Sequence, residues 1–148
     1  MKIGVIQASS QIEKNTILYE CTKDYGEVIN FGCFEDEENY SYVEIALGIC
    51  LLISSQAVDF IVTGCSSGQG MMIACNSLPN LICGYLPTPQ DAYLFGRIND
   101  GNVASLPLGL NYGWAGEINL KATLQQLFEE PFGIGYPLKD AKRKQEDT

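Results

Sequence analysis

The sequence predicts an α/β protein in which a parallel sheet lies between two layers of helices. Short apolar segments rich in Val and Ile alternate with segments of helical character along most of the chain. Several of the strand-like segments are apolar throughout, which is typical of strands buried on both faces. The length of 148 residues suits one such core.

The first half of the chain alternates strand and helix patterns. Residues 2–7 are a short β-branched run and form the first predicted strand, and apolar residues then recur at helical spacing over 12–21. Residues 26–31 read as a second strand. The acidic segment 35–38 is expected to be a solvated loop that also serves partly as the first turn of a helix, where negative charge is favourable. Residues 42–55 predict a largely buried helix.

The second half repeats this alternation. One segment, Val-Asp-Phe-Ile-Val-Thr-Gly, is the strongest strand pattern in the sequence, and Pro89 suits the first position of a helix. Leu120, Leu124, Leu127 and Phe128 share one face of an amphipathic helix. The predicted strands span 58–64, 80–86 and 102–106, and the predicted helices span 71–76, 89–95 and 118–130. This order indicates a Rossmann-like, three-layer α/β/α fold with a five-stranded parallel sheet.

The charge balance limits the partners of the chain. Nine basic residues against 18 acidic ones give a formal net charge of −9, which disfavours nucleic acid and anionic lipid. The apolar run at residues 1–6 is too short for a signal peptide, and the uncharged stretch 60–90 is interrupted by Gly, Pro, Ser and Asn. We therefore expect a cytoplasmic protein that binds neither nucleic acid nor membrane.

The cysteines show no metal-binding pattern. No two have CxxC spacing, and the sequence contains no histidine, so zinc-type ligand spacing is absent and no metal site is expected. The acidic segment 35–38 lacks a complementary ligand cluster. Apart from Cys65, we expect the thiols to be small buried hydrophobic groups in a reducing compartment; they are Cys21, Cys33, Cys50, Cys75 and Cys83.

A candidate site follows the strongest strand. Ligands of open α/β sheets bind where strands end and helices begin, and residues 63–70 form such a junction. Gly68 and Gly70 allow a ligand to approach the backbone, and the next helix offers free N–H groups for an anion. Cys65 precedes these donors, where a thiolate is stabilised and can act as a nucleophile or base. The spacing alone also fits a structural turn with a buried cysteine.

Residues 63–76 read Thr-Gly-Cys-Ser-Ser-Gly-Gln-Gly-Met-Met-Ile-Ala-Cys-Asn. They resemble the Cys-Gly-Thr-Gly-x-Gly-Met-Ser-x-Ala-Ala-Asn segment of the sugar-phosphate isomerases that include ribose-5-phosphate isomerase B and galactose-6-phosphate isomerase. Residues 99–103, Asn-Asp-Gly-Asn-Val, resemble the His-Asn-Asp-x-Asn-Val segment of that family. The resemblance spans most of the chain and is best between residues 58 and 106.

The resemblance implies aldose–ketose isomerisation of a phosphorylated sugar through an enediolate, without a metal or organic cofactor. Cys65 is then the base, and Ser67 occupies the catalytic position at which the family has Thr. The resemblance also implies a set of substrate-binding residues, namely Ser66, Gly68, Gln69, Gly70, Asn99, Ser9, Tyr40 and Arg143. For Asn99, capping of a helix C-terminus is an equally good interpretation.

The family forms dimers, and often tetramers, in which the second subunit completes each site. The resemblance therefore implies a homodimer or tetramer with shared sites, or an assembly with a homologous partner chain. Residues 1–132 are expected to form a single domain. Residues 133–148 are either a frayed end or an arm that packs on a partner, where Lys139, Lys142 or Arg143 reaches a neighbouring phosphate.

Several positions depart from the family pattern, and they leave three interpretations open. Ala8 and Ser9 replace an Asp-His pair, Ile98 replaces the ring-opening histidine, Gly109 replaces an arginine, and Tyr136 and Asp140 fall near the C-terminal arginines. The substrate is open-chain or differently shaped, or a related partner chain is needed, or the protein binds a sugar phosphate without turnover. Thiol-dependent acyl or phosphoryl transfer is disfavoured because no histidine accompanies the thiol.

Three further side chains carry structural expectations. Arg97 is expected to be a solvated helix residue rather than a phosphate ligand. Trp114 and the nearby Tyr112 are expected to pack at the edge of the last helix.

Overall fold

The computed structural model describes residues 1–137 and contains a five-stranded, all-parallel sheet. The order across the sheet is β2-β1-β3-β5-β4, so the first and third strands lie side by side and the fifth lies next to the third. The strands are β1 (Lys2–Ile6), β2 (Glu27–Gly32), β3 (Phe60–Cys65), β4 (Cys83–Tyr85) and β5 (Val103–Pro107). Each predicted strand is present, and the observed bounds differ from the predicted ones by up to three residues at either end.

The helices cover both faces of the sheet, which confirms the predicted three-layer fold. The helices are α1 (Asn15–Thr22), α2 (Tyr42–Ser54), α3 (Gln69–Asn76), α4 (Pro89–Leu94) and α5 (Gly116–Phe128). Helices α1, α4 and α5 pack on one face of the sheet and form one hydrophobic core with it. Helices α2 and α3 pack on the other face and form a second core. Within residues 1–137, no helix combines the length and the apolar character needed to cross a bilayer.

Local sequence signals set the helix starts. Ser41 and Glu44 form a reciprocal capping box at the start of α2, so the acidic segment 35–38 lies before this helix in an exposed turn. The expectation that this segment supplies the first helical turn is therefore wrong, since Glu44 is the acidic residue there. Thr88 caps α4 through the backbone N–H of Asp91, and Pro89 occupies its first turn as predicted.

Two expectations about exposure are wrong. Helix α2 is only partly buried, because Leu47 and Leu51 are 50% and 71% exposed on its outer face. Trp114 is fully exposed rather than packed against α5. Tyr112 behaves as expected, since its ring packs against the core and lies close to Gly116 at the start of α5. The sequence shows that these residues are apolar, but it does not show which apolar faces find a partner within the chain.

Arg97 is fully buried, so the expectation of a solvated residue is wrong. It lies in a π-helical stretch (Phe95–Asn99) that continues α4, and its Nη2 donates to Leu127 O at 2.6 Å. The guanidinium also lies over the rings of Tyr93 and Phe132. Burial lowers the pKa of Arg97 from its ordinary value. The Arg97 side chain therefore supplies hydrogen-bond donors to carbonyl groups at the end of α5 and links that end to the helical stretch that continues α4.

Replacing Arg97 by Ala is expected to lower the free energy of unfolding by about 3 kcal/mol, because a cavity forms and helix-end carbonyls lose their donor. Urea denaturation followed by circular dichroism measures the change. Lys121→Ala, an exposed cation on α5, serves as the control and should leave the midpoint nearly unchanged. Equal midpoints for the two variants would contradict the structural role of Arg97.

Candidate functional site

The loops at the carboxyl ends of β1, β3 and β5 lie side by side. We call the surface that these three loops form the mouth. The backbone N–H of Ala8, just after β1, donates to Gly64 O of β3 at 2.9 Å. The N–H of Leu108, just after β5, donates to Cys65 O at 3.0 Å. These bonds hold the loops after the three strands together, at the place where open α/β sheets bind ligands.

Cys65 is the last residue of β3, and its thiol is held by the loop that follows. The backbone N–H of Gly68 donates to Cys65 Sγ at 3.2 Å. The carbonyl of Gly68 accepts from the buried hydroxyl of Ser105 at 2.6 Å, so this residue is fixed on both sides. Gly68 has φ +81°, and an added Cβ would lie 3.0 Å from backbone atoms of Leu106 and Pro107. Only glycine fits this turn without strain.

The start of α3 presents unpaired backbone donors beside the thiol. Ser67 Oγ accepts from the N–H of Gln69 at 3.2 Å, which satisfies the first helical amide. Within the described chain, the N–H groups of Gly70 and Met71 have no hydrogen-bond partner. Together with the helix dipole, these amides can hold an anion. The ring of Tyr42, the first residue of α2, lies against Gly70, where an added Cβ would be 3.2 Å from Cζ.

Ser9 links two loops of the mouth. Its hydroxyl donates to Cys33 Sγ at 3.4 Å and accepts from the backbone N–H of Tyr40 at 2.9 Å. Through its neighbour Ala8, Ser9 is also close to the strand that carries Cys65. The structure therefore places Ser9 and the Tyr40 backbone near the predicted base, while the Tyr40 side chain remains 40% exposed.

A cluster of side-chain amides behind this loop was not predicted from the sequence. Asn15 Nδ2 donates to Gln7 Oε1 at 2.6 Å and to Asn30 Oδ1 at 2.9 Å, and Gln7 Nε2 donates to Cys33 O at 3.0 Å. The cluster joins the ends of β1 and β2 to the first turn of α1. The sequence signals for this cluster were two uncharged polar residues, Gln7 at the end of the first strand pattern and Asn30 inside the second. Gln11, also missed, lies at the mouth beside Ser66 and Gly109.

Asn99 does not share the mouth with Cys65 within one chain. It is exposed and precedes β5, whereas Cys65 ends the neighbouring parallel strand β3. The two residues therefore lie at opposite ends of the strands. Nor does Asn99 cap the helix, because the C-cap is Asp100 in the left-handed conformation with φ 49°. Arg143, Lys139, Lys142 and Asp140 lie outside the described residues.

The other thiols are structural. None of the six cysteines forms a disulfide, and four of those expected to be buried are so, while Cys50 is half-buried. Burial raises the pKa of Cys33, whose thiol donates to Gln7 O. A hydrogen bond shared with Cys75, together with burial, raises the pKa of Cys83. Cys33 and Cys83 therefore remain protonated thiols at neutral pH.

The fold and this mouth define a Rossmann-like α/β protein with a candidate ligand site at the carboxyl ends of its strands. The site combines a thiol with free helix amides. Among residues 1–137, no three His, Cys, Asp or Glu side chains cluster closely enough to hold a metal ion. The chain belongs to the ribose/galactose isomerase family, whose model matches residues 3–132.

Solved structures support the family assignment. A 4-deoxy-L-threo-5-hexosulose-uronate ketol-isomerase complexed with a tartrate is 42% identical, with a TM-score of 0.92 over 99% of this chain and 72% of that chain. A ribose-5-phosphate isomerase from Vibrio parahaemolyticus is 36% identical, with the same TM-score and coverage. A ribose-5-phosphate isomerase from Thermotoga maritima is 25% identical, with a TM-score of 0.73 over 98% of this chain and 97% of that chain. Among curated proteins, none matches this chain.

Replacing Gly68 by Ala is expected to lower the free energy of unfolding by about 1–2 kcal/mol, because the left-handed backbone and the close Cβ contacts strain the turn. Gly48→Ala is the matched control, since its added Cβ meets nothing within 4 Å in the middle of α2. That control should leave stability unchanged or slightly higher. Thermal and urea unfolding compare the two, and equal stability would argue against a constrained turn at Gly68.

Proposed function

We propose that the protein is an aldose–ketose isomerase that moves a proton between neighbouring carbons of a sugar, with Cys65 as the base. The observation that carries this proposal is the position of the Cys65 sulfur, which ends β3 and accepts the Gly68 N–H at 3.2 Å beside the unpaired amides of α3. A thiolate base and an oxyanion site are therefore neighbours. Membership in the ribose/galactose isomerase family supports the same chemistry.

The proposed reaction conserves atoms and electrons. The Cys65 thiolate takes the proton from the carbon next to the substrate carbonyl, and the C–H electrons form the double bond of an enediolate. The amides of Gly70 and Met71 stabilise the negative oxygen. The proton of the neighbouring hydroxyl passes from one enediolate oxygen to the other, and the thiol returns its proton to the former carbonyl carbon. The second oxygen then becomes the new carbonyl. The step uses only groups of the chain itself and calls for no redox cofactor.

The residues that line the mouth have matching roles in this proposal. Ser67 shapes the turn before α3 by accepting the Gln69 N–H, and Gly68 orients the sulfur. Ser66, Gln69 and Gly70 border the space above the thiol, while Ser9 and Tyr40 border it from the first two loops. We propose all of these as substrate contacts, with Asn99 and Arg143 reaching the mouth from a second subunit.

Two acidic sugars are candidate substrates. A sugar phosphate follows from the family and from the Vibrio relative, with its phosphate held by a partner's basic residues. A hexulose uronate is favoured by a specific observation, the 42% identity to a uronate ketol-isomerase. An open-chain uronate needs no ring-opening acid, which agrees with Ile98 at the position of the family's histidine.

Deuterium exchange tests the proposed base. In deuterated water, the wild-type protein should incorporate deuterium next to the carbonyl of its substrate, measured by NMR across pentose and hexose phosphates and 4-deoxy-L-threo-5-hexosulose uronate. Cys65→Ala should slow the exchange by about 100-fold or more, because a general base contributes that much. Cys50→Ala, a half-buried thiol remote from the mouth, is the control and should exchange at the wild-type rate.

Equal exchange by the two cysteine variants would exclude Cys65 as the base. No exchange by the folded wild type with any of these sugars would favour the alternatives, a chain that only binds the sugar or one that requires a homologous partner.

We also propose that the working assembly is a homodimer, or a tetramer built from such dimers, with shared sites. Asn99 lies at the amino end of β5 and Cys65 at the carboxyl end of β3, so a site containing both residues requires two chains. An apolar face is also available on α2 and α3, where Leu47, Leu51 and Ile73 are at least half exposed. Exposed apolar faces of this kind mark protein interfaces.

Mixing two inactive variants tests shared sites. Cys65→Ala and Asn99→Ala should each lose activity, and refolding them together should restore about a quarter of wild-type turnover, since half of the dimers then contain one intact site. The control pairs Cys65→Ala with the double variant Cys65→Ala/Asn99→Ala, in which no dimer has an intact site. Turnover of the first mixture no higher than that of the control would refute sharing of Asn99 and Cys65.

We propose residues 1–132 as the isomerase unit and the cytoplasm as its location, since six unpaired thiols suit a reducing compartment. The first residues of the C-terminal arm pack on their own chain. Gly133 N donates to Gly96 O at 3.0 Å and Gly135 N to Arg97 O at 2.8 Å. The proposed contact with a partner subunit therefore concerns residues 138–148, which lie outside the described part.

A further inference from the structure

Gln11 is a largely buried residue at the mouth of the site. It lies in the 3-10 helical turn after β1 and is only 8% exposed. Within residues 1–137 its side chain makes no hydrogen bond, and its amide atoms are not among the fully buried polar atoms that lack a partner, so the amide is available to a ligand. Gln11 is not among the residues that the sequence motifs indicate.

Gly109 brings Gln11 next to Ser66. A Cβ added to Gly109 would lie 2.7 Å from Ser66 Oγ and 3.1 Å from Gln11 Nε2. The two polar groups therefore flank the same backbone position, which only a glycine leaves open. The Ser66 hydroxyl likewise has no partner in the described chain, although the Ser66 carbonyl accepts from the N–H groups of Gly109 and Leu110. We call Gln11, Ser66 and Gly109 the amide corner.

The amide corner is adjacent to the proposed chemistry. Ser66 directly follows Cys65, and the N–H groups of Leu108 and Gly109 tie the loop after β5 to both residues. The turn that carries Gln11 begins at Ala8, whose N–H is bonded to Gly64 of the same strand. A substrate whose reacting carbons lie at Cys65 thus places its neighbouring carbons at this corner.

The chemistry of the corner selects a particular group. The Gln11 amide offers donors and an acceptor, and the Ser66 hydroxyl offers one donor and two acceptor sites. Neither side chain carries a charge. A hydroxyl group, which both donates and accepts, can pair with a donor and an acceptor of this corner at the same time. A phosphate or carboxylate has only acceptors, so it can pair with the donors of the corner but not with the Gln11 carbonyl oxygen.

We propose that Gln11 and Ser66 bind a hydroxyl group of the substrate beside the reacting carbons, which makes Gln11 a specificity-determining residue. The proposal rests on the proposed isomerase site and adds to it a neutral subsite, distinct from the anion site at α3. A substrate analogue that lacks this hydroxyl loses the hydrogen bonds to both side chains, so the site should discriminate against it by about tenfold or more.

Equilibrium binding tests the amide corner without turnover. Tartrate and succinate are dicarboxylates of the same carbon chain that differ only in two hydroxyl groups. Isothermal titration should show wild-type protein and Cys65→Ala preferring tartrate by about tenfold or more. Gln11→Met, which keeps the length of the side chain, should bring the ratio of the two affinities close to one without weakening succinate binding.

Ser66→Ala is the second variant, because it removes only a hydroxyl and should fold even if Gln11→Met does not. It should reduce the same preference. Gln125→Leu, an exposed residue on α5, is the matched control and should retain it. A folded variant with an unchanged ratio, or a wild type without any preference for tartrate, would overturn the proposal. Retained preference in a protein that fails to exchange deuterium would overturn the isomerase function while leaving the amide corner intact.

Discussion

The geometry of the mouth depends on the backbone of Gly68. Its N–H is directed at the Cys65 sulfur and its carbonyl accepts the hydroxyl of Ser105, which is buried in the neighbouring strand. The left-handed conformation of this residue turns the chain from β3 into α3 within a few residues. Because the turn packs against the backbone of β5, the thiol and the free amides of α3 are held by the core of the sheet rather than by a mobile loop.

The loops on the other side of the mouth depend on neutral hydrogen bonds. Asn15, at the start of α1, bonds to Gln7 and Asn30 on two adjacent strands, and Ser9 connects the loops that follow them. Buried amide networks of this kind are rigid when every member is paired. Gln11 differs from this cluster, because its amide makes no hydrogen bond within the described residues and is therefore available to a ligand.

Electrostatics explain why an acidic protein can hold an acidic substrate. The formal charge of −9 opposes anion binding at long range, but that field is screened by salt within about 10 Å. The helix amides act at hydrogen-bond distance, and they are neutral donors whose strength does not depend on the net charge. Selection at the mouth therefore relies on directed N–H groups near Cys65 and on neutral polar groups around it.

The sequence predicted the strands well, because each one is an apolar run between turn residues and needs little tertiary information. It also predicted the strand–turn–helix junction at Cys65, since a strand pattern, two glycines and a helix pattern follow one another there. Exposure was harder to predict. Arg97 is buried because the end of α5 offers it carbonyl groups, and Leu51 is exposed because no element of the same chain covers it.

By itself, the sequence determined the α/β fold class, the order of its elements and the position of the thiol, because these follow from local patterns of polarity and turn residues. Only the tertiary structure decided which residues meet. It placed Gln11 beside Ser66, joined Asn15 to the ends of two strands, and separated Asn99 from Cys65 by the length of a strand. The physical reason is that strand order and register bring together residues far apart in the chain, and no local pattern encodes that pairing.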